Sequence, residues 1–422
     1  MQTSFKPFVS SLLSAGALAA LSVAARAQQP VVVDLPGIEV GAAKPVPPRA
    51  PQATTSANVA PSEVVVSPTA VVTPSETVAS SVTVITARDL ERYQRRTVVD
   101  ALRAVPGLNV VQTGAVGGQT SIFMRGTNSN HVKVLIDGID VSDPSVPSGA
   151  FDFGHLIAAD IERIEVLRGP QSGLYGANSI GGVISITTKQ GKGPARATAY
   201  FEGGSFGTFN QGASLSGSKG ILSYAFNVGH IRSMDTPVTP SELLAPGQKR
   251  INDSYDNWTY STKLSAEFSK YFTLNVVGRY TDANKYFTAD DFNVPPFTGA
   301  IANEHSFIGV QQGYGRVEGV TTLFGGALKN YLSVARTSLH SVNISHDGST
   351  AVNDGDRVKV DWRNVMTVAP GQVFIAGVER KVETINTTGF TALQAGEWNN
   401  AGYVEFQSQI GRSLSFAVNG RY

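Results

Sequence analysis

From about residue 195 to Tyr422 the chain is a succession of runs in which every second residue is apolar or aromatic: "ATAYFEGGS", "TFNQGASLSG", "ILSYAFNVGHI", "WTYSTKLSAEF" and "FTLNVVGRYT". A period of two puts the apolar set on one face of a strand and the polar or small set on the other. After the first 27 residues no run of about 18 apolar residues occurs, so no helix is available to cross a membrane. If this chain crosses one, it does so as a barrel, because open strand edges in hydrocarbon leave backbone groups unpaired. Short turns (Ser218-Lys219-Gly220, Ser269-Lys270) alternate with long polar stretches at 232–257 and 282–310. Runs of about ten residues with short turns on one side and long loops on the other are the pattern of an outer-membrane barrel. Aromatic residues near the run ends (Tyr200, Phe201, Trp258, Tyr260, Tyr271, Phe272, Tyr280) favour the barrel over a soluble sandwich. About ten such strands occur by Tyr422.

The beginning of the chain is an export signal. Lys6 supplies the positive charge, Val9 to Ala25 is mostly small and apolar, and Ala25-Arg26-Ala27 fits a cleavage site, which makes 1–27 a signal peptide. Residues 28–77 are rich in Pro, Ala, Ser, Thr and Val and hold no period, as in an extended tether. Two β-prone islands interrupt it, Gly37 to Val40 and Glu63 to Val66. Such islands read either as Val-rich linker or as a segment that adds as a strand to a partner's sheet edge. With 34 basic and 33 acidic residues the net charge is +1, which gives no field for nucleic acid. Cysteine is absent, which removes disulfides, thiolate metal sites and Cys nucleophiles.

Residues 78–190 read as a compact α+β domain. Strands are expected at 81–86, 108–112, 120–125, 132–136, 161–167 and 183–188. Thr86-Ala-Arg-Asp89 and Thr97-Val-Val-Asp100 each open a short helix as capping boxes. Asp137-Gly138 is a hairpin turn between apolar runs.

The chemical motifs are mostly negative. Gly176 to Gly181 has the spacing of a phosphate loop but continues into Gly182-Val183, without the Lys and hydroxyl that hold phosphate and magnesium. The six histidines are scattered, and no nucleophile elbow occurs, so no catalytic residues are assigned and the chain is not expected to be an enzyme. Two acidic clusters in the long loops, Asp253/Asp256 and Asp282/Asp290/Asp291, could bind calcium through hard oxygens but without EF-hand spacing, and Asp253 and Asp256 are the candidate ligands.

The stretches "TVVDALRAVPGLNV", "SIFMRGTNSNHVKVLIDGIDV" and "ADIERIEVLRGPQSGLYGANSIGGVISITTK", in that order, resemble the plug domain of TonB-dependent outer-membrane receptors, and among them most the cobalamin receptor type. The resemblance implies an α+β plug followed by an antiparallel transmembrane β-barrel of the roughly 22-stranded, plugged type. Only about half of that barrel is present at 195–422, so the chain is expected to be an N-terminal portion of a receptor. It also implies active uptake across the outer membrane, powered by the TonB-ExbB-ExbD complex, of a scarce metal chelate. Cobalamin or a related corrinoid is the first cargo, and a ferric siderophore or haem the second. The reading from another class is a non-transporting ligand-binding outer-membrane protein.

Residue by residue, the resemblance places the partner's box at Glu63, Val64, Val65, Val66, Ser67, Pro68 and Thr69, with Asp34 to Val40 as second choice. Arg125 and Arg168 match arginines that lock plug to wall, with Glu379 and Glu405 as the expected wall partners. Substrate is expected on the plug's outer loops, through Thr113, Gln119, Ser142, Asp143, Ser148 and Asp152, with no resident cofactor beyond the calcium candidate.

Overall fold

In the computed structural model the described residues are 64–65, 73–74, 81–146, 148–292, 299–389, 392–411 and 414–422. The chain divides into Met1–Asn58, which lies outside the described residues, and Val59–Tyr422, which carries all that follows. The signal segment and Asp34 to Val40 are therefore outside them. Ahead of the plug, β1 (Val64–Val65) and β2 (Thr73–Pro74) form a two-residue antiparallel ladder.

The plug begins with β3 (Ser81–Thr86), α1 (Ala87–Arg92) and α2 (Val98–Leu102). Both helices start with the expected boxes. The Asp89 amide donates to Thr86 Oγ1 (3.3 Å) and the Thr86 amide to Asp89 Oδ2 (2.9 Å). Thr97 and Asp100 repeat the exchange at 3.3 and 3.2 Å, so orphan amides of each first turn find an acceptor. A hairpin of β4 (Leu108–Gln112) and β5 (Thr120–Met124) follows, then β6 (Val132–Ile136) and β7 (Ile139–Asp140) about the Asp137-Gly138 turn. Both turn residues have positive φ (47° and 78°), as a two-residue hairpin of this hand requires. β8 (Ile161–Arg168), the single-turn α3 (Ser172–Tyr175) and β9 (Gly182–Thr188) complete the domain. The sheet order is β3-β8-β9-β6-β7, with β6 and β9 parallel and the other pairs antiparallel. Ile161, Ile164, Ile184, Ile186, Leu102 and Met124 are fully buried in its core.

The wall is one antiparallel meander of 11 strands in sequence order. It runs β10 (Arg196–Gly204), β11 (Thr208–Lys219), β12 (Leu222–Thr236), β13 (Asp253–Ser269), β14 (Phe272–Asp291), β15 (Ala300–Leu323), β16 (Leu328–Ile344), β17 (Thr350–Ala369), β18 (Gln372–Thr387), β19 (Leu393–Ile410) and β20 (Leu414–Arg421). The loops are shorter than the sequence suggests. β12 runs on to Thr236 and β13 starts at Asp253, while β14 and β15 run in from Asp291 and Ala300, leaving connections only at 237–252 and 292–299. Polar residues there alternate within strands rather than form loops. β15 has 24 residues, about 80 Å if straight. That is well beyond a hydrocarbon core of about 30 Å, so polar strand ends project past the apolar band.

The register separates two environments. Leu332, Val334, Val360, Trp362, Val378 and Val404 point away from the plug and stay exposed, next to buried Ser333, Ala335, Ala401 and Tyr403 on the plug side. Phe268, Tyr271, Phe272 and Phe374 lie toward the short-turn end of the outer face, and Trp258, Tyr260 and Trp398 toward the other. A continuous apolar outer face of this extent suits lipid, not water. Leu332→Arg is expected to weaken folding into lipid vesicles by about 2–4 kcal/mol, whereas Asn399→Arg on the inner face changes it little. The urea dependence of folding into vesicles measures both.

Candidate functional site

The plug meets the wall through buried charges. The Asp137-Gly138 turn presents Asp137 to the wall, where Lys263 Nζ on β13 donates to its Oδ1 (2.6 Å). Thr188 secures the same carboxylate from inside the plug, through its amide at 3.2 Å and its hydroxyl at 2.5 Å. Two residues past the turn, Asp140 accepts from Lys133 of β6 and from Ser142 (amide 3.1 Å, hydroxyl 2.7 Å). Arg357 on β17 approaches its Oδ1 at 3.3 Å and donates to the Asp140 and Ser142 carbonyls at 3.2 and 2.8 Å. Thr337 on β16 donates to the Asp140 carbonyl at 2.7 Å. Burial alone would raise the Asp140 carboxyl, but Lys133 and Arg357 hold it well below the usual carboxylate range. The third contact joins Asp160, just before β8, to Arg279 on β14, with side-chain exposures of 4% and 1%. At that burial neither ion can stay unpaired without a penalty of several kcal/mol, so each requires the other.

Farther along the wall no plug carboxylate pairs directly with a wall cation among the described residues around His155 and Ala115. His155 Nδ1 lies 3.1 Å from the Tyr255 hydroxyl, and Asn257 Nδ2 donates to the His155 carbonyl at 2.9 Å. Burial holds the His155 imidazole below its ordinary value of 6.5, Asp152 opposing and Lys285 reinforcing the shift. Lys285 Nζ donates to the Ala115 carbonyl (3.3 Å) and faces Asp253 (3.6 Å). The approach is close enough that several glycines matter, two of them also with positive φ. Gly117 (φ +75°) lies against the Tyr255 ring and Gly138 (φ +78°) against Arg316, and a Cβ on either would strike those side chains.

The structure corrects the expected lock. Arg168 stays within the plug, donating to the Pro106 carbonyl (2.7 Å) and Thr83 Oγ1 (2.9 Å). Arg125 is exposed, with positive φ (51°), and among the described residues it pairs with neither glutamate. Glu379 is taken by Lys359 (2.6 Å) and Arg421, and Glu405 by Gln407 (2.5 Å) and Asn419 (3.2 Å), all on the wall itself. The three deepest contacts run the other way, with wall cations on plug carboxylates. Arg96 with Glu202 is a pair of the expected sense, and it is more exposed. One signal for Lys263 and Arg279 was present in the sequence. Each occupies an inner-face position of an alternating run, where a long cation requires a carboxylate opposite.

The calcium candidates do not fit a metal. Positions 253 and 256 fall on opposite faces of β13, because an odd separation reverses the face. Asp253 accepts from Thr288 (amide 3.0 Å) and faces Lys285, while Asp256 lies 3.0 Å from His230 Nε2. Among the described residues no three His, Asp or Glu side chains gather as ligands.

Of the loop candidates, Thr113, Gln119 and Ser148 are exposed. The Thr113 amide and hydroxyl both donate to the Gln119 carbonyl and close the 113–119 loop. The other three are tied inward. Ser142 donates to Asp140, Asp143 accepts from Ser145 (2.7 and 2.6 Å), and Asp152 accepts from the Thr120 and Gly154 amides (2.8 Å each). Of the box candidate, Val64 and Val65 form β1, while Glu63, Val66, Ser67, Pro68 and Thr69 lie outside the described residues.

Residues 74–183 match the family model described as the TonB-dependent receptor plug domain. The chain is 24% identical over 319 residues to a vitamin B12 transporter of Photobacterium profundum, covering 76% of this chain and 50% of that protein. It thus spans about half the length of that curated relative. Among solved structures it is similar to the siderophore receptor PirA from Acinetobacter baumannii, with TM-score 0.65, 19% identity, and coverage of 81% of this chain and 56% of that one. The ferric enterobactin receptor of Pseudomonas aeruginosa superposes with TM-score 0.64 and 17% identity, covering 81% and 57%. At these identities the solved structures establish the fold: a plug followed by part of an antiparallel barrel.

Arg357→Gln is expected to destabilise the docked plug by about 3–5 kcal/mol, since it strands buried acceptors. Arg336→Gln breaks an exposed pair with Asp356 on the outer face and should cost about 0–1 kcal/mol. Resistance of the plug to protease in rising urea reads both. For His155 the folded value lies below the unfolded one, so the unfolded chain binds the extra proton. Its contribution is complete above pH 6.5 and falls as pH drops below that value. Melting of the plug between pH 8 and pH 5 should show this loss, and His155→Gln should flatten it.

Proposed function

We propose that this chain, a TonB-dependent receptor with its plug domain seated against the first part of the barrel wall, takes up a scarce metal chelate across the outer membrane by energy coupling, with cobalamin or a related corrinoid as cargo. The observation that carries the reading is the plug itself. A folded domain lies against the concave face and is tied to it by buried ion pairs, so in a closed barrel solute would pass only if the plug yields. A passive pore has no use for such a domain. Force on the plug's N-terminal side supplies what spontaneous opening lacks, because several buried pairs must break together.

The partner is a TonB-ExbB-ExbD complex acting on Glu63 to Thr69. Pairing of Val64 and Val65 with Thr73 and Pro74 supports the segment's competence to join a sheet edge. The signal peptide at 1–27 gives export, and the apolar outer face gives placement in outer-membrane lipid. Of the six loop candidates, Thr113, Gln119 and Ser148 are left open to meet cargo. Receptor duty of this kind needs no catalytic centre.

Cobalamin is favoured by the likeness to the vitamin B12 transporter and by the motif series at 121–141. A ferric siderophore is the second reading, favoured by the solved siderophore receptors that share the fold. A cobalamin-auxotrophic host lacking its own receptor decides between them, with the gene that encodes this chain expressed in it. Growth on nanomolar cobalamin that disappears in a TonB-deficient host is the expected result. Growth on ferric enterobactin under iron limitation, without rescue by cobalamin, would overturn the cargo assignment.

A further inference from the structure

Between the plug and the inner face of the wall lies a cavity of about 1000 Å³, bounded on the plug side by β6, the Asp137-Gly138 turn and the loop 172–178. Eight lysines and arginines line it against five side-chain carboxylates. Seven of the cations have an ion pair; among the described residues the eighth, Arg363 on β17, has none. Its guanidinium lies over the Tyr331 ring, 4.7 Å from the centroid, and its Nε is buried with no hydrogen-bond acceptor. The carboxylates that feel it most are already engaged. Asp361 accepts from the Tyr403 hydroxyl (3.2 Å), and Glu318 from Arg316 (3.2 Å) and Asn275 (3.4 Å). Arg316 Nε and Arg421 Nη1, on the same cavity, are likewise buried without an acceptor.

We propose that Arg363 anchors an anion-binding site in this cavity, with Arg316 and Arg421 as supporting donors, for a small solute bearing a carboxylate or phosphate group. A buried guanidinium N–H left without an acceptor, as at Arg363 Nε, is costly. The planar fork is suited to two parallel hydrogen bonds from an oxyanion, and stacking on Tyr331 fixes the plane in which they point. The volume lies within the range of small-molecule sites. The site rests on the uptake reading only in that the inner face is taken as a water-filled lumen. Its binding chemistry requires no energy coupling.

The absence of cysteine makes the test clean. Ser333 lines the cavity one strand from Arg363, beside its neighbour Asp361 in the ladder, so Ser333→Cys introduces the sole thiol with little change of shape. The full chain, folded in lipid vesicles, is treated with two methanethiosulfonates of similar size, one an ethylsulfonate anion and one an ethyltrimethylammonium cation. Rates are normalised to a free thiol. The anion should react about tenfold faster than the cation, as in a cleft that focuses positive potential. Inorganic phosphate should slow the anionic reagent. Arg363→Gln should abolish most of the preference and the phosphate protection, Arg363→Lys should keep the preference while weakening the protection, and Arg380→Gln on the outer face should change neither. Equal rates, a preference unaltered by Arg363→Gln, or a thiol that neither reagent reaches would each overturn the site. A failure of the uptake reading in the growth assay leaves these rates untouched, so the two failures are distinguishable.

Discussion

A buried charge needs its opposite within reach, and that requirement organises the contact between plug and wall. Arg279 with Asp160, Lys263 with Asp137 and Arg357 with Asp140 are largely buried pairs, on three wall strands and on two parts of the plug, the β6–β7 hairpin and the segment before β8. None of these ions is tolerable alone at such depth. Each pair therefore fixes position more than it adds stability. Backbone carbonyls at Ile157, Asp140 and Ser142 accept from the same arginines, which ties main chain as well as side chain to the wall. A plug held this way is seated in one register and is released by breaking several contacts at once.

The architecture was readable wherever local chemistry decides it. Alternation such as "WTYSTKLSAEF" specifies a strand because its faces meet lipid and plug, and β13 spans those residues. Thr86 with Asp89 and Thr97 with Asp100 mark helix starts, since side chains three residues apart can cap each other's amides. Asp137-Gly138 forecast a turn because few other pairs accept its two positive φ angles. What the sequence concealed was every property that depends on who stands opposite. Glu379 looked like a partner for a plug arginine, yet Lys359 and Arg421 are nearer across the strands. Arg168 looked free to reach the wall, yet the Pro106 carbonyl and Thr83 hold it. Polar stretches at 232–257 and 282–310 looked like loops, because a strand that leaves the membrane exchanges apolar outer residues for polar ones without ceasing to pair. Asp253 and Asp256 looked adjacent along the chain, but the pleat puts them on opposite faces.

The two faces of the wall also divide the functional questions. The outer face, with Leu332, Val360 and Trp398 exposed, concerns where the protein resides. The inner face concerns what the plug and the cavity beside it can hold. There seven of the cavity's cations are neutralised locally and Arg363 is left to an acceptor that the described residues do not provide. That imbalance is a property of side-chain placement, since Arg363 in "VDWRNVM" is indistinguishable by sequence from its paired neighbours.

The central claim is that wall cations hold the plug by its carboxylates. It is tested most directly by a double-mutant cycle at Asp160 and Arg279, read by hydrogen exchange of plug amides in Asp160→Asn, Arg279→Gln and the combined variant. The account predicts that each single change lowers protection strongly and that the double variant recovers part of it, with a coupling energy of about 1–3 kcal/mol. Additive losses, with a coupling below about 0.5 kcal/mol, would contradict it.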